Sequence, residues 1–149
     1  MKDTWLRIIR FWEKIPTVSM ARLGSPATPE QIRETEIKIG KTFPVDFVDF
    51  YRIHNGWRDL VMPGASMLLS LEEILDSASV VANRQEDDFT LLIPFTRSSR
   101  NRDFYCLNFS DEAYGSIEFV STDVPEAYQV ATSFVEWINR YAENPGLMG

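Results

Sequence analysis

The sequence predicts an α+β fold: a mostly antiparallel sheet flanked by N-terminal helices, a middle helix and a C-terminal helix, in one domain spanning residues 1–149. Three observations lead there. Apolar residues recur at helical spacing at both ends of the chain and once in the middle. Runs rich in aromatic and β-branched residues cluster between residues 90 and 130. No strand–helix–strand rhythm repeats, as a parallel sheet would need.

The elements follow in order. From about Asp3 to Ile15, Trp5, Ile8, Ile9 and Trp12 fall at i, i+3, i+4 and i+7, one face of a helix. Pro16 cannot continue that helix, and Pro16 to Ala27 reads as a loop. Thr28-Pro29-Glu30-Gln31 is a capping box: the Thr28 hydroxyl accepts from the backbone three residues on, Gln31 reaches back, and Pro29 suits the first helical position. This helix should run to Ile39, with Gly40 as the left-handed residue that ends it. Phe43-Pro44 opens a third helix with the stripe Phe47, Phe50, Tyr51 and His54, closed by Asn55-Gly56. Trp57 to Ser70 holds one or two short strands, such as Met67 to Leu69. Ser70-Leu71-Glu72-Glu73 is a second capping box, ahead of Leu71, Ile74, Leu75, Ala78 and Ala82 at helical spacing. Thr90 to Phe95, Phe104 to Phe109 and Ser116 to Val120 read as strands, and Tyr128 to Val130 as a short last one. Ser133-Phe134-Val135-Glu136 is a third capping box, followed by Phe134, Trp137, Ile138 and Tyr141; Asn144-Pro145-Gly146 ends the ordered chain.

Composition narrows the chemistry. Fifteen basic against 22 acidic residues give a net charge of −7. Binding to nucleic acid by counterion release needs a positive face, so direct DNA or RNA binding is not expected. One cysteine, Cys106, excludes an intramolecular disulfide, and one histidine, His54, excludes a multi-histidine metal site. No metal or cofactor is expected. The N-terminal residues carry charge throughout, without the apolar stretch of a signal peptide, and no window offers the roughly 18 apolar residues of a membrane span. A cytoplasmic protein with no membrane span is expected.

Each chemical motif has a plainer reading. Gly40-Lys41-Thr42 resembles the end of a phosphate-binding loop, yet it follows a helix where that mechanism needs a strand, so it reads as a helix cap. His54 continues an apolar stripe and reads as a core or cap histidine rather than a general base. Cys106, between Tyr105 and Leu107 in a strand, reads as a small buried hydrophobe rather than a nucleophile. The carboxylate pairs Glu72/Glu73, Asp87/Asp88 and Asp111/Glu112 read as solvated charge. Arg97, Arg100 and Arg102 fall in a loop between two expected strands, at a solvated hairpin tip. Trp57, Tyr114 and Tyr128 lie outside the helical stripes, as aromatics that could anchor a partner.

Several of these segments occur together in one family. Thr28-Pro29-Glu30-Gln31-Ile32, Glu36, Ile39-Gly40, Phe43-Pro44-Val45-Asp46-Phe47 and Tyr51-Arg52-Ile53-His54-Asn55-Gly56-Trp57 closely resemble the signature of the SUKH superfamily. Leu69 to Ile74 resembles its strand-to-helix step, and Ile93-Pro94-Phe95, Asp103 to Leu107, Gly115-Ser116-Ile117 and Ser133 to Ile138 its later strands and last helix. The resemblance covers about residues 25–140. It departs at Arg97 to Arg102, where the family often carries acidic residues and glycine, so no partner contact is carried over there.

The resemblance implies an α+β fold without catalytic residues. Members include immunity proteins that neutralise toxins delivered between competing bacteria, Syd-like membrane-associated regulators and fungal cell-wall assembly regulators. The expected function is therefore a non-enzymatic immunity protein that binds a cognate toxin domain, such as a nuclease. The alternative is an intracellular regulatory or scaffold domain of the same superfamily. An acidic inhibitor gains association rate and specificity from a basic partner surface. The acidic residues expected to meet it are Asp46 and Asp49, beside the third helical stripe, and Asp59, Glu86, Asp87, Asp88, Asp111 and Glu112 in expected loops.

Overall fold

Residues 1–82 and 91–145 are described by a computed structural model, the side chains of 78–82 excepted. The expected residues Glu86, Asp87 and Asp88 lie outside the described residues.

Among the described residues, five α-helices and seven strands follow one another as α1 (Lys2–Glu13), α2 (Pro29–Ile39), α3 (Val45–Tyr51), β1 (Trp57–Met62), β2 (Ser66–Leu68), α4 (Leu71–Ala82), β3 (Leu92–Pro94), β4 (Thr96–Ser98), β5 (Asp103–Asn108), β6 (Ile117–Ser121), β7 (Tyr128–Ala131) and α5 (Phe134–Glu143). Every named strand pair is antiparallel, so the α+β class holds. The strands form two sheets rather than one, in the orders β1-β2-β4 and β3-β5-β6-β7. The division falls at Phe95, the last residue of the strand expected over Thr90 to Phe95, and a further strand follows where a loop is expected. Pro94 ends β3 and has no N–H to extend the ladder. Phe95 then donates its N–H to the Tyr105 carbonyl at 2.9 Å and accepts from the Leu69 N–H at 2.9 Å, one bond into each half. The chain beyond it pairs with β2, which places Arg97 inside β4 opposite Met67 and not in a loop.

The capping boxes act as the sequence says, with one exception. Thr28 accepts from Gln31 N–H at 3.1 Å while Gln31 accepts from Thr28 N–H at 2.8 Å. Ser70 and Glu73 exchange the same bonds at 3.2 and 2.9 Å. At α5, Ser133 accepts from Glu136 N–H at 3.1 Å, but the Glu136 carboxylate takes the Thr132 N–H and hydroxyl instead of returning to Ser133.

The third helix is shorter than expected. It ends at Tyr51, where the turn tightens: the Ile53 N–H takes the Phe50 carbonyl three residues back at 3.0 Å, and the His54 N–H shares that carbonyl at 3.3 Å. His54 therefore lies beyond the helix and not on its stripe. Asn55-Gly56 is a junction. The Asn55 side chain accepts from Leu71 N–H at 2.8 Å, capping α4, and its backbone N–H donates to Ser25 at 2.8 Å. Gly56 has φ of 87°, and an added Cβ would meet Ser70 N at 2.7 Å. Its carbonyl accepts from Gly24 N–H at 2.8 Å. Trp57 is fully buried at the start of β1, with its indole N–H on the Ser19 carbonyl, so it is no exposed anchor. The expected loop before it contains one 3-10 turn, Met20–Arg22.

A single aromatic-rich core gathers α1, α3, α5 and both sheets. Phe134 sits at its centre, with the rings of Phe47, Phe50 and Phe95 at 5.3, 4.8 and 5.4 Å. Burial of such rings is the dominant favourable contribution, and their edge-to-face geometry adds about 0.5–1.5 kcal/mol per pair. Helix α1 is fastened by two indole donors: Trp5 to His54 Nδ1 at 2.9 Å and Trp12 to the Tyr141 hydroxyl at 2.7 Å. On the opposite face of the second sheet lies a small separate cluster of Leu92, Phe104, Cys106 and Val120.

Candidate functional site

The strand alternation that builds the main core also builds the candidate site. Ile93, Leu107 and Ile117 face the core, so their neighbours Leu92, Asn108 and Glu118 face the other way. Beyond the small buried cluster, this second face opens into a groove of about 670 Å³. Its apolar lining comes from Leu91, Leu92, Pro125 and Ala127. Four carboxylates line it as well: Asp111 and Glu112 from the β5–β6 connection, Glu118 from β6, and Glu126 from the β6–β7 connection. No lysine or arginine is among the described residues that line it.

The β5–β6 connection is held rather than loose. Asn108 accepts from Ser110 N–H on its side chain at 2.7 Å and from Gly115 N–H on its carbonyl at 2.8 Å. The hydroxyl of Ser116 donates to Glu118 at 3.2 Å and orients that carboxylate. Among the described residues no three His, Cys, Asp or Glu side chains converge as metal ligands would. Carboxylates spread along a groove over apolar walls suit an extended cationic surface better than a single ion.

The acidic residues singled out from the sequence go to three kinds of place. Asp111 and Glu112 are exposed and line the groove. Asp49 is exposed on α3. Asp46 and Asp59 are partly buried and already engaged: Asp46 accepts from the N–H of Phe47 at 2.8 Å and of Val135 at 3.1 Å, tying α3 to α5. Asp59 accepts from Ser19 N–H at 2.7 Å and Leu60 N–H at 2.8 Å. Two groove carboxylates, Glu118 and Glu126, are not among those the sequence marks. The signal for Glu118 was its polar place between Ile117 and Phe119, but only the register, Cys106 opposite Glu118, sets it on this face. Glu126 carried no distinguishing signal.

The nucleophile and base candidates are placed for packing. Cys106 is completely buried, and burial first and the Glu118 charge second push its thiol well above the ordinary value. His54 accepts the Trp5 indole N–H on Nδ1, and burial lowers its pKa, so the ring is held neutral. The two sit apart, His54 bonded to the main core and Cys106 in the small cluster on the other sheet face. Gly40, with φ of 72°, ends α2 by donating to the Glu36 carbonyl at 2.9 Å, which is the helix-cap reading of Gly40-Lys41-Thr42. Arg102 pairs with Asp123 on the surface, where such pairs are worth little. Tyr114 and Tyr128 stay exposed, at 49% and 56%.

Residues 26–140 match the family described as SMI1/KNR4 (SUKH-1). The match begins just before the α2 cap, ends inside α5 and leaves α1 outside. No curated protein matches the chain.

Proposed function

Because the chain belongs to the SMI1/KNR4 family (SUKH-1), we propose that it is a non-catalytic protein-binding domain, and specifically an immunity protein that captures and neutralises a toxin domain with a basic face. Family membership supports the protein-interaction role. The observation that carries the finer reading is the groove: four carboxylates over apolar walls, with no cation among the described residues lining it. A net charge of −7 adds long-range attraction toward such a partner. A nuclease toxin fits this chemistry, because its own substrate is a polyanion and its binding face is correspondingly basic. The site of action we propose is the cytoplasm. No helix among the described residues is long and apolar enough to cross a membrane.

Co-expression with a candidate toxin domain, taken from the genes neighbouring this one, tests the reading. Growth should be rescued and the two proteins should co-purify. Neither rescue nor a complex would sink it and leave the family's regulatory role as the alternative.

A further inference from the structure

Next to the acidic groove lies a second hollow of about 410 Å³, with Tyr114, Gln129 and Thr132 in its lining. The two share Asp111 and Glu112, which form the ridge between them. Tyr114 is 49% exposed, yet it is not free to move. Its hydroxyl donates to the Thr42 carbonyl, and its ring packs edge-on to Phe109 with centroids 5.9 Å apart. The connection carrying it also rests on the α2–α3 turn, since a Cβ on Gly115 would stand 3.5 Å from Pro44. Burial first, then the charges of Glu36 and Asp46, raise the Tyr114 pKa. Past Thr42 the surface changes character: Arg33 and Lys41 line the next hollow, whereas no lysine or arginine is among the described residues that line the first two.

A rigid, half-exposed aromatic ring loses little conformational entropy on binding and is a common anchor. Beside paired carboxylates it also selects among cations. A guanidinium is planar, bonds a carboxylate through two parallel N–H donors and stacks on a ring face; an ammonium does neither as well. We propose that the chain recognises an arginine-bearing protein segment lying across both hollows, with Tyr114 as the residue that distinguishes arginine from lysine. This assignment rests on the groove being the partner site and names what the partner presents there.

The test titrates the full chain with fluorescent nona-arginine and nona-lysine peptides at low ionic strength, read by anisotropy. Nona-arginine should bind the tighter, by about two- to fivefold. Tyr114→Leu, which keeps apolar bulk without a ring face, should shrink that ratio toward one, and Tyr114→Phe should preserve it. Asp111→Asn with Glu112→Gln should weaken both peptides alike. Equal affinities in the unaltered chain, an unchanged ratio in Tyr114→Leu, or no binding of either peptide overturns the proposal. The two readings fail separately. If Tyr114→Leu keeps the ratio while carboxylate neutralisation weakens both peptides, only the arginine assignment falls; if neutralisation changes neither, the groove reading falls with it.

Discussion

Trp5 and His54 share a hydrogen bond in which the histidine must be the acceptor, so only the neutral ring can make it. Burial lowers the folded-state pKa from the ordinary 6.5, and the unfolded chain therefore takes up a proton first as the solution is acidified. Between the two values the unfolded state holds more protons, so stability rises with pH across that window. The His54 contribution should be complete above about pH 6.5, decline as pH falls through that value, and level off below the folded pKa. Urea denaturation followed by tryptophan fluorescence should show this slope, and His54→Gln should flatten it; identical slopes would remove His54 as its source. Asp46 offers a second check at this scale. It serves two backbone N–H groups on two helices, so Asp46→Ala should cost about 1–3 kcal/mol of stability, which makes it a structural residue before it is a contact residue. Asp49→Ala, on the exposed side of the same helix, should stay within about 0.5 kcal/mol.

At the scale of elements, what the sequence revealed was what short-range chemistry decides. Thr28 with Gln31 and Ser70 with Glu73 set two helix starts through bonds three residues long, and these were readable directly. Thr28→Ala should therefore cost about 1 kcal/mol, seen as a lower thermal midpoint. The two-sheet arrangement was not readable, because it depends on Phe95 bonding to Tyr105 on one side and Leu69 on the other, 10 and 26 positions away in the chain. The early end of α3 escaped for the same kind of reason: the stripe continues to His54, but Asn55 is committed to Ser25 and Leu71, and the backbone must turn to bring it there. That junction should be intolerant. A Cβ at position 24 would lie 2.2 Å from the Asn55 carbonyl oxygen, so Gly24→Ala should destabilise by about 2 kcal/mol or more, beyond the loss of a helix cap. Denaturant midpoints of Thr28→Ala and Gly24→Ala, compared side by side, decide whether that order holds.

Over the whole molecule, charge is the property that the sequence exposes and the fold sorts. Eight acidic residues look alike in the chain, yet Asp46 and Asp59 are spent on backbone donors while Asp111 and Glu112 face an open groove. Half of that groove was legible, since an acidic pair in an expected loop signals exposure. The other half, Glu118 and Glu126, required strand register and the return of the β6–β7 connection. Glu118 even lies opposite a residue of the buried cluster, Cys106, so its strand neighbours gave no sign of an acidic face. The central claim is that this groove holds the basic partner, and the affinity for the toxin domain tests it most directly. A chain carrying Asp111→Asn, Glu112→Gln, Glu118→Gln and Glu126→Gln together should bind at least about tenfold more weakly at low salt and with a shallower salt dependence, while Asp49→Asn binds as the unaltered chain does. Unchanged affinity and an unchanged salt slope in the fourfold variant, with the complex still formed, would contradict it.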